Sequence, residues 1–390
     1  MNKITFVIPS RNNLEFLRLA YQSIRNLRTK HEIIILDDAS TDGTLEWIIT
    51  LHDEDLIHYH NPGPTRVGIV GMFDRGIAMS RTDIIFAFHA DMIAGPNLDT
   101  NILKYLQRGM VVSATRIEPP LHPPGPEKIT QAWGNEPHEI DFPILMNSIN
   151  HFERENANKT TEGIFAPWCM YKSDYLAIGG HDELFAPQSK EDSDLFNRFV
   201  LNGYNVIQSW DALVYHFTSR GSRFNTYAGG AAGKDSAEWQ YTTNKNARNF
   251  IRKWGHFVKH DQFMKPIIPP KYDIGFIIHN CTDQLLNVLE PWCTDVYIDM
   301  IPDEYIAKEQ INTKFKLSDR IHSTRLGPKL NDILVTIDGS RFTNEDFYVI
   351  QELATIIKQT NDIGEFAIGN LNIRINKLTT YEHNLIKAKI

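Results

Sequence analysis

Acidic and imidazole side chains stand at the ends of apolar runs in the first part of the sequence. Asp37 and Asp38 close Glu32-Ile33-Ile34-Ile35-Leu36, and His89-Ala90-Asp91 closes Ile84-Ile85-Phe86-Ala87-Phe88. Carboxylate oxygens and imidazole nitrogens are ligand types that divalent cations take. Further along, Glu191-Asp192-Ser193-Asp194 crowds three carboxylates into four residues. Their mutual repulsion raises the proton affinity of one of them, which suits proton transfer in a reaction. Each group also has a plainer reading. Asp37, Asp38 and Ser40 are good caps for a following helix, and His89 suits a strand end bonded to backbone. Acidic residues are favoured at a helix N-terminus by its dipole. Cys169, Cys281 and Cys293 are too few and too scattered for a disulfide framework or a thiolate zinc site, and the latter two read as packing.

Side chains so far apart in sequence meet only if a sheet brings strand ends together. Residues 4–8 form a β-rich run closed by Pro9, and Phe16, Leu17, Ala20, Tyr21 and Ile24 then share one helical face. A strand at 32–36, a short helix at 45–49, a strand at 57–60, a helix at 68–80 and a strand at 84–88 follow. Continuous apolar strands alternating with helices predict an open α/β sheet covered on both faces, which binds ligands at its carboxyl ends. The stretch 118–127 holds five prolines and must be a loop. Beyond it come an apolar stretch at 165–171, a glycine turn at Gly179-Gly180, a helix at 192–201 and a strand at 214–217. The glycine-rich segment 227–234 reads as a mobile loop.

Pro266 and Pro269-Pro270 read as a linker between a domain at 1–265 and a smaller α/β domain at 271–390. In the latter, a strand at 274–279, a helix at 283–289 and a strand at 295–299 come first, and a strand at 333–337, a helix and strands near Phe366 and Ile373 follow. Its last helix opens with Thr343-Asn344-Glu345-Asp346, similar to a capping box, and buries Phe347, Ile350, Leu353 and Ile357.

The set Pro9-Ser10-Arg11-Asn12, Asp37 to Thr44, His89-Ala90-Asp91, Gly179 to Glu183, Glu191 to Leu195 and Tyr215-His216 resembles, in order, the landmarks of family 2 glycosyltransferases with the GT-A fold. The resemblance covers about residues 1–255. It implies transfer of a sugar from a nucleotide diphosphate, UDP in the first instance, to an acceptor hydroxyl by a single displacement with inversion. Negative charge builds on the leaving phosphate, and a bound Mn2+ or Mg2+ would neutralise it as a Lewis acid. By the resemblance, Asp91 and His216 are metal ligands. His89 replaces the first Asp of the family's D-x-D motif and is a ligand or nucleotide contact. Asp38 reads the nucleoside, with Pro9 and Arg11 lining its pocket and Arg66 as a further contact. Asp192 is the general base, and Glu191 orients or assists it. Arg220 and Arg223 follow the His216 segment and would clamp the diphosphate, with Gly229, Gly230 and Gly233 as hinges; the alternative is a solvated turn. Trp133 and Trp168 are candidates for an acceptor-sugar floor or for core.

Two other readings stand beside this one. A sugar nucleotidyltransferase would start with a glycine-rich loop, whereas Pro9-Ser10-Arg11-Asn12 occupies that place. A catalytically inactive nucleotide-sugar-binding module would need the altered His89 site to have lost its metal. A formal net charge of −8 weighs against a general nucleic-acid binder. With no signal-peptide pattern and no spanning apolar run, the expected location is cytoplasmic. A glycan, lipid-linked precursor, protein, small molecule or modified nucleic acid all suit as acceptor. Acceptor choice or oligomer assembly is the role expected of residues 271–390.

Overall fold

The computed structural model describes residues 2–385 apart from 221, 222, 225, 227–229 and 232; of the expected hinge glycines, Gly229 lies outside the described residues. The chain forms two compact units, residues 2–243 with 260–266, and residues 244–259 with 267–385. The proline stretch is therefore one of three places where the chain passes from unit to unit.

In the first unit, β1 (Ile4–Ser10), α1 (Leu14–Arg25), β2 (Glu32–Asp38), α2 (Thr44–Ile49), β3 (Leu56–Asn61), α3 (Gly68–Met79) and β4 (Ile84–Ala87) alternate as the apolar pattern predicts. After them come β5 (Met92–Ala94), α4 (Leu98–Leu103), β6 (Met110–Glu118), β7 (Ile129–Thr130), α5 (Phe142–Glu155), β8 (Thr160–Glu162), β9 (Trp168–Tyr171), α6 (Lys172–Ala177), α7 (Glu191–Leu201) and β10 (Asn205–His216). The helix α8 (Ala237–Trp254) begins in this unit and ends in the second. The sheet order is β3-β2-β1-β4-β9-β6-β10-β5, with β7 beside β6 and β8 beside β10.

Strands β3, β2, β1 and β4 are parallel. Strand β9 runs antiparallel to both β4 and β6, and β6 is parallel to β10. The carboxyl ends of β1, β2, β4, β6 and β10 consequently share one edge. Alternation within the strands explains the two layers of core. Phe6 and Ile8 pack with Leu17, Ala20 and Ile24 of α1 on one face, and Val7, Ile34 and Leu36 pack with Met72, Phe73 and Ile77 of α3 on the other.

Strand β10 begins at Asn205, nine residues before the expected 214–217, and the reason is a bulge. Between its pairings with β6 the offset in residue number passes from 95 (Ser209 with Ala114) to 98 (Leu213 with Thr115). Trp210, Asp211 and Ala212 interrupt the apolar alternation, so only the part beyond them looks like a strand. The buried Asp211 carboxylate anchors the bulge by accepting from Ser209 Oγ (2.7 Å), Asn158 N–H (2.8 Å) and Lys104 Nζ (3.0 Å). Bulges of this kind re-aim side chains near sites.

The second unit contains β11 (Ile274–His279), α9 (Asp283–Leu289), β12 (Asp295–Ile298), α10 (Asp303–Glu309), β13 (Ile321–Ser323), β14 (Ile333–Asp338), α11 (Asn344–Thr360), β15 (Gly364–Ile368) and β16 (Leu371–Ile375), in the sheet order β13-β12-β11-β14-β16-β15. The capping box of α11 is present: Thr343 Oγ accepts from Asp346 N–H (3.3 Å), and the Asp346 carboxylate accepts from Thr343 N–H (2.9 Å). Ile350, Leu353 and Ile357 are buried and Phe347 is half-buried. The sequence pattern predicts none of α4, α5, α6, α8 and α10. For α5 the signals were Asp141 as N-cap, Pro143 in the first turn and buried Leu145 and Ile149.

Candidate functional site

A cavity of about 240 Å³ opens at the shared strand edge of the first unit. Pro9, Ser10 and Arg11 line it from the end of β1, Asp38 from β2, His89 and Asp91 from just after β4, and His216 from the end of β10. Glu191 and Asp192 reach it from the first turn of α7, and Arg66, Gln188 and Trp239 complete that side. The approach of α7 depends on a glycine. A Cβ at Gly68 (φ +87°) would sit 2.4 Å from the Pro187 Cα, so only glycine lets the start of α3 meet the segment that leads into α7. The Ile69 N–H donates to the Pro187 carbonyl at 2.8 Å and closes that junction.

His89, Asp91 and His216 offer one ligand atom each within 4.8 Å of one another. Asp91 Oδ1 lies 3.6 Å from His216 Nε2, while Asp91 Oδ2 accepts from the Arg220 backbone N–H at 2.9 Å. On the far side of the ring, His216 Nδ1 and Glu118 Oε1 are hydrogen-bonded at 2.8 Å. Burial disfavours the His216 imidazolium, but Asp91 and Glu118 on its two sides outweigh burial and raise its pKa to about 9. Burial likewise disfavours the Asp91 carboxylate, and the neighbouring His216 charge holds it down at about 2 all the same. For His89, burial outweighs the pull of Asp91 and lowers the pKa. A carboxylate and two imidazoles converging in a buried cluster are a donor set that fits a divalent transition ion.

At the end of β2, Asp38 holds the entry of α3. Its Oδ1 accepts from Val67 N–H (2.8 Å) and Asn61 Nδ2 (2.8 Å), and its Oδ2 from Gly68 N–H (2.7 Å). The cap expected of Asp37, Asp38 and Ser40 on the next helix is not formed: Asp38 instead ties down the start of α3, and Asp37 Oδ1 accepts from Ser40 N–H at 3.1 Å. Arg66 bonds Gln188 Oε1 at 3.0 Å and pairs closely with Glu238, which also lies 3.6 Å from Arg11. The buried side-chain atoms without a hydrogen-bond partner among the described residues include Ser10 Oγ, Arg11 Nε, Asn13 Nδ2, Arg66 Nε and Glu191 Oε2. All five belong to residues lining the cavity. Buried polar atoms are nearly always satisfied, so a set of this size at one place points to a polar ligand.

The three clustered carboxylates separate into different roles. Asp194 is buried and bonds Arg198 Nε at 2.9 Å, and the same guanidinium ties down the carbonyls of Ile178 and Gly180. Glu191 is buried, and burial together with the neighbouring Asp192 charge pushes its pKa up to about 8. Asp192 is half-buried at the cavity wall.

Arg220 and Arg223 do not line this cavity. The Arg220 guanidinium bonds the Asn135 carbonyl and Glu136, each at 2.8 Å, and only its backbone reaches Asp91. Arg223 pairs with Asp235 at 2.7 Å. Trp168 is core, packed against Tyr175 and Phe199, and Trp133 lies against Tyr215 and Phe152 away from the cavity. Sequence reasoning missed Glu118 and Glu238. Glu118 ends a strand that also carries Ser113, Thr115 and Arg116, and nothing local marks either acid.

Residues 5–177 match the family model described as glycosyl transferase family 2, and residues 162–222 match that described as chondroitin N-acetylgalactosaminyltransferase. No curated protein matches the chain. Similar solved structures include the mannosyltransferase PcManGT from Pyrobaculum calidifontis in complex with GDP-Man and Mn2+ (19% identity, 55% of this chain and 56% of that one, TM-score 0.39). Others are GalNAc-T7 with UDP, GalNAc and Mn2+ (13% identity, 65% and 48%, TM-score 0.47) and S. aureus TarS 1-349 (14% identity, 56% and 61%, TM-score 0.40). This chain thus spans between 48% and 61% of the length of those structures. No helix among the described residues is long and apolar enough to cross a membrane. The match to glycosyl transferase family 2 thus runs from β1 to the end of α6, within the first unit.

Proposed function

We propose that the first unit transfers a sugar from a UDP-linked donor to an acceptor hydroxyl, with inversion at the anomeric carbon. One observation carries the reading. Pro9, Arg11, Asp38, Arg66, His89, Asp91, Glu191, Asp192 and His216, drawn from six separate stretches, line one cavity. Asp91, His216 and His89 would hold a divalent ion, and two imidazoles beside one carboxylate favour Mn2+ over Mg2+. When bound, the ion neutralises the charge that develops on the departing diphosphate. Asp38 keeps the α3 entry in place and contacts the nucleoside, while the unpartnered Nε–H groups of Arg11 and Arg66 donate to the anionic part of the donor. Asp192 takes the proton of the acceptor hydroxyl as that oxygen bonds the anomeric carbon and the bond to phosphate breaks. Glu191 keeps its own proton and so sets no second charge beside Asp192. The second unit contributes acceptor choice or assembly and no catalytic group.

Calorimetry with UDP tests the reading. Binding is expected to require Mn2+ and to weaken strongly in Asp91→Ala. Equal affinity in EDTA overturns the metal part, and absence of UDP binding with any divalent ion overturns the choice of nucleotide. Tight binding of UDP-sugars with no hydrolysis or transfer would favour the inactive binding module instead.

A further inference from the structure

We infer that Glu118 is a positioning residue of this site, fixing the His216 ring so that Nε2 faces Asp91. The inference rests on the reading that His216 and Asp91 hold a divalent ion. Glu118 is the last residue of β6, it is buried, and it does not line the cavity, so it touches neither ion nor donor. Its Oε1 lies 2.8 Å from His216 Nδ1, while His216 Nε2 lies 3.6 Å from Asp91 Oδ1. An imidazole that donates from Nδ1 to a carboxylate presents its Nε2 lone pair on the other side. Such a partner fixes both tautomer and ring orientation of a metal-binding histidine.

The way the chain builds this contact supports the role. Before the bulge in β10 the offset to β6 is 95, and after it the offset is 98, which sets His216 level with Glu118. Three residues inserted in the strand thus decide which acid the histidine meets. A buried carboxylate is costly unless it is paired. Arg116 Nη1 at 3.0 Å and Lys128 Nζ at 2.9 Å supply that pairing. A purely structural account is available too: the same cluster ties Lys128, just past the proline-rich loop, to the sheet. The two accounts differ in what they require of metal affinity.

The experiment measures Mn2+ affinity from the paramagnetic resonance signal of the free ion, in wild type, Glu118→Gln, Glu118→Asp, Lys128→Met, His216→Ala and the double variant His216→Ala with Glu118→Gln. A positioning partner of a metal ligand is typically worth about 10–100-fold in affinity, and a loss in that range is expected for Glu118→Gln. Glu118→Asp keeps the charge between Arg116 and Lys128 but draws the acceptor back by one methylene, so it should fold and still lose affinity. Lys128→Met disturbs the same cluster without touching His216 and should stay near wild type. In the His216→Ala background, Glu118→Gln should cost nothing further. Wild-type Mn2+ affinity in both Glu118 variants, or an undiminished loss in the His216→Ala background, overturns the inference. An equal loss in Lys128→Met also overturns it, in favour of the structural account. Should His216→Ala itself leave Mn2+ affinity unchanged, the metal reading fails and takes this inference with it; loss in His216→Ala but not in the Glu118 variants sinks the inference alone.

Discussion

The strand order β3-β2-β1-β4 of the first unit reappears as β13-β12-β11-β14 in the second. Both sheets bring aspartates to the carboxyl ends of their strands, Asp38 and Asp91 in one, Asp299 and Asp338 in the other. The use of those carboxylates differs. Asp299 accepts from the backbone N–H groups of Asn280 (2.7 Å) and Cys281 (3.0 Å). Asp338 Oδ1 is taken up by Asn280 Nδ2, Ser340 N–H and Ser340 Oγ. Asp38 in the first unit is used similarly, as the clamp on α3. Asp91 is not: one oxygen accepts a single backbone N–H, and the other faces His216. The same topology therefore yields a ligand edge only where polar groups are left unspent on the fold's own turns. Among the described residues, the first unit alone holds a His/Asp group of metal-ligating spacing.

The comparison breaks most visibly at Asp192. In Asp192→Asn, nucleotide binding should remain near wild type while transfer falls by roughly 10²–10⁴-fold, the usual worth of a general base. Single-turnover measurements on the true acceptor would show it. Unchanged turnover would mean that the base lies elsewhere and that Asp192 is only a charge at the start of α7.

These roles were legible in the sequence to different depths. Strand ends are short-range features: an apolar run that stops at Asp38 or at His89-Ala90-Asp91 announces its polar edge directly, and the parallel sheet then brings the ends together. His216 was legible by motif, but its neighbour was not. The pairing with Glu118 depends on a register that changes inside β10, and no local pattern around Trp210-Asp211-Ala212 states how far a strand will slip. The reading of Arg220 and Arg223 as phosphate clamps rested on charge and chain position alone. In the structure their side chains pair with Glu136 and Asp235, partners that only the folded loop supplies. Helix α5 was hidden by the proline-rich run before it, although Asp141 and Pro143 form an ordinary helix start.

A smaller effect, tied to the same contrast, is the pH dependence of metal binding. In the metal-free protein the His216 pKa is raised to about 9 by Asp91 and Glu118. Below that value the ring holds a proton which a metal must displace, so Mn2+ affinity should rise by about tenfold per pH unit and level off near pH 9. Asp91, at about 2, is already ionised in this range and adds no slope. For folding the sign is opposite. A raised histidine pKa stabilises the metal-free protein fully below the ordinary value near 6.5, and this contribution is lost as pH rises through about 9. Mn2+ titrations between pH 6.5 and 8.5 check the first statement, and a flat profile would mean that His216 is not a ligand.

The smallest expected effect lies in the second unit and tests the other side of the comparison. Asp299→Ala removes a carboxylate that accepts two backbone N–H groups at the turn after β11, where Asn280 sits in the left-handed region at φ +53°. Those N–H groups are close to solvent and can bond water instead, so the cost is modest. A drop in melting temperature of roughly 2–4 °C is expected, with donor binding and hydrolysis unchanged. Asp299→Asn keeps one acceptor oxygen in place and should lose less than the alanine variant. Asp338→Ala should behave in the same direction, since Ser340 and Asn280 lose an acceptor. These variants are informative because they are expected to be dull. Strand-end aspartates that serve only their own turns should affect melting and nothing more, whereas the strand-end groups of the first unit should affect ligand binding or turnover. Loss of donor hydrolysis in a folded Asp299→Ala or Asp338→Ala protein would show that the second sheet carries chemistry of its own, and the division of labour drawn from the spent and unspent carboxylates would be wrong.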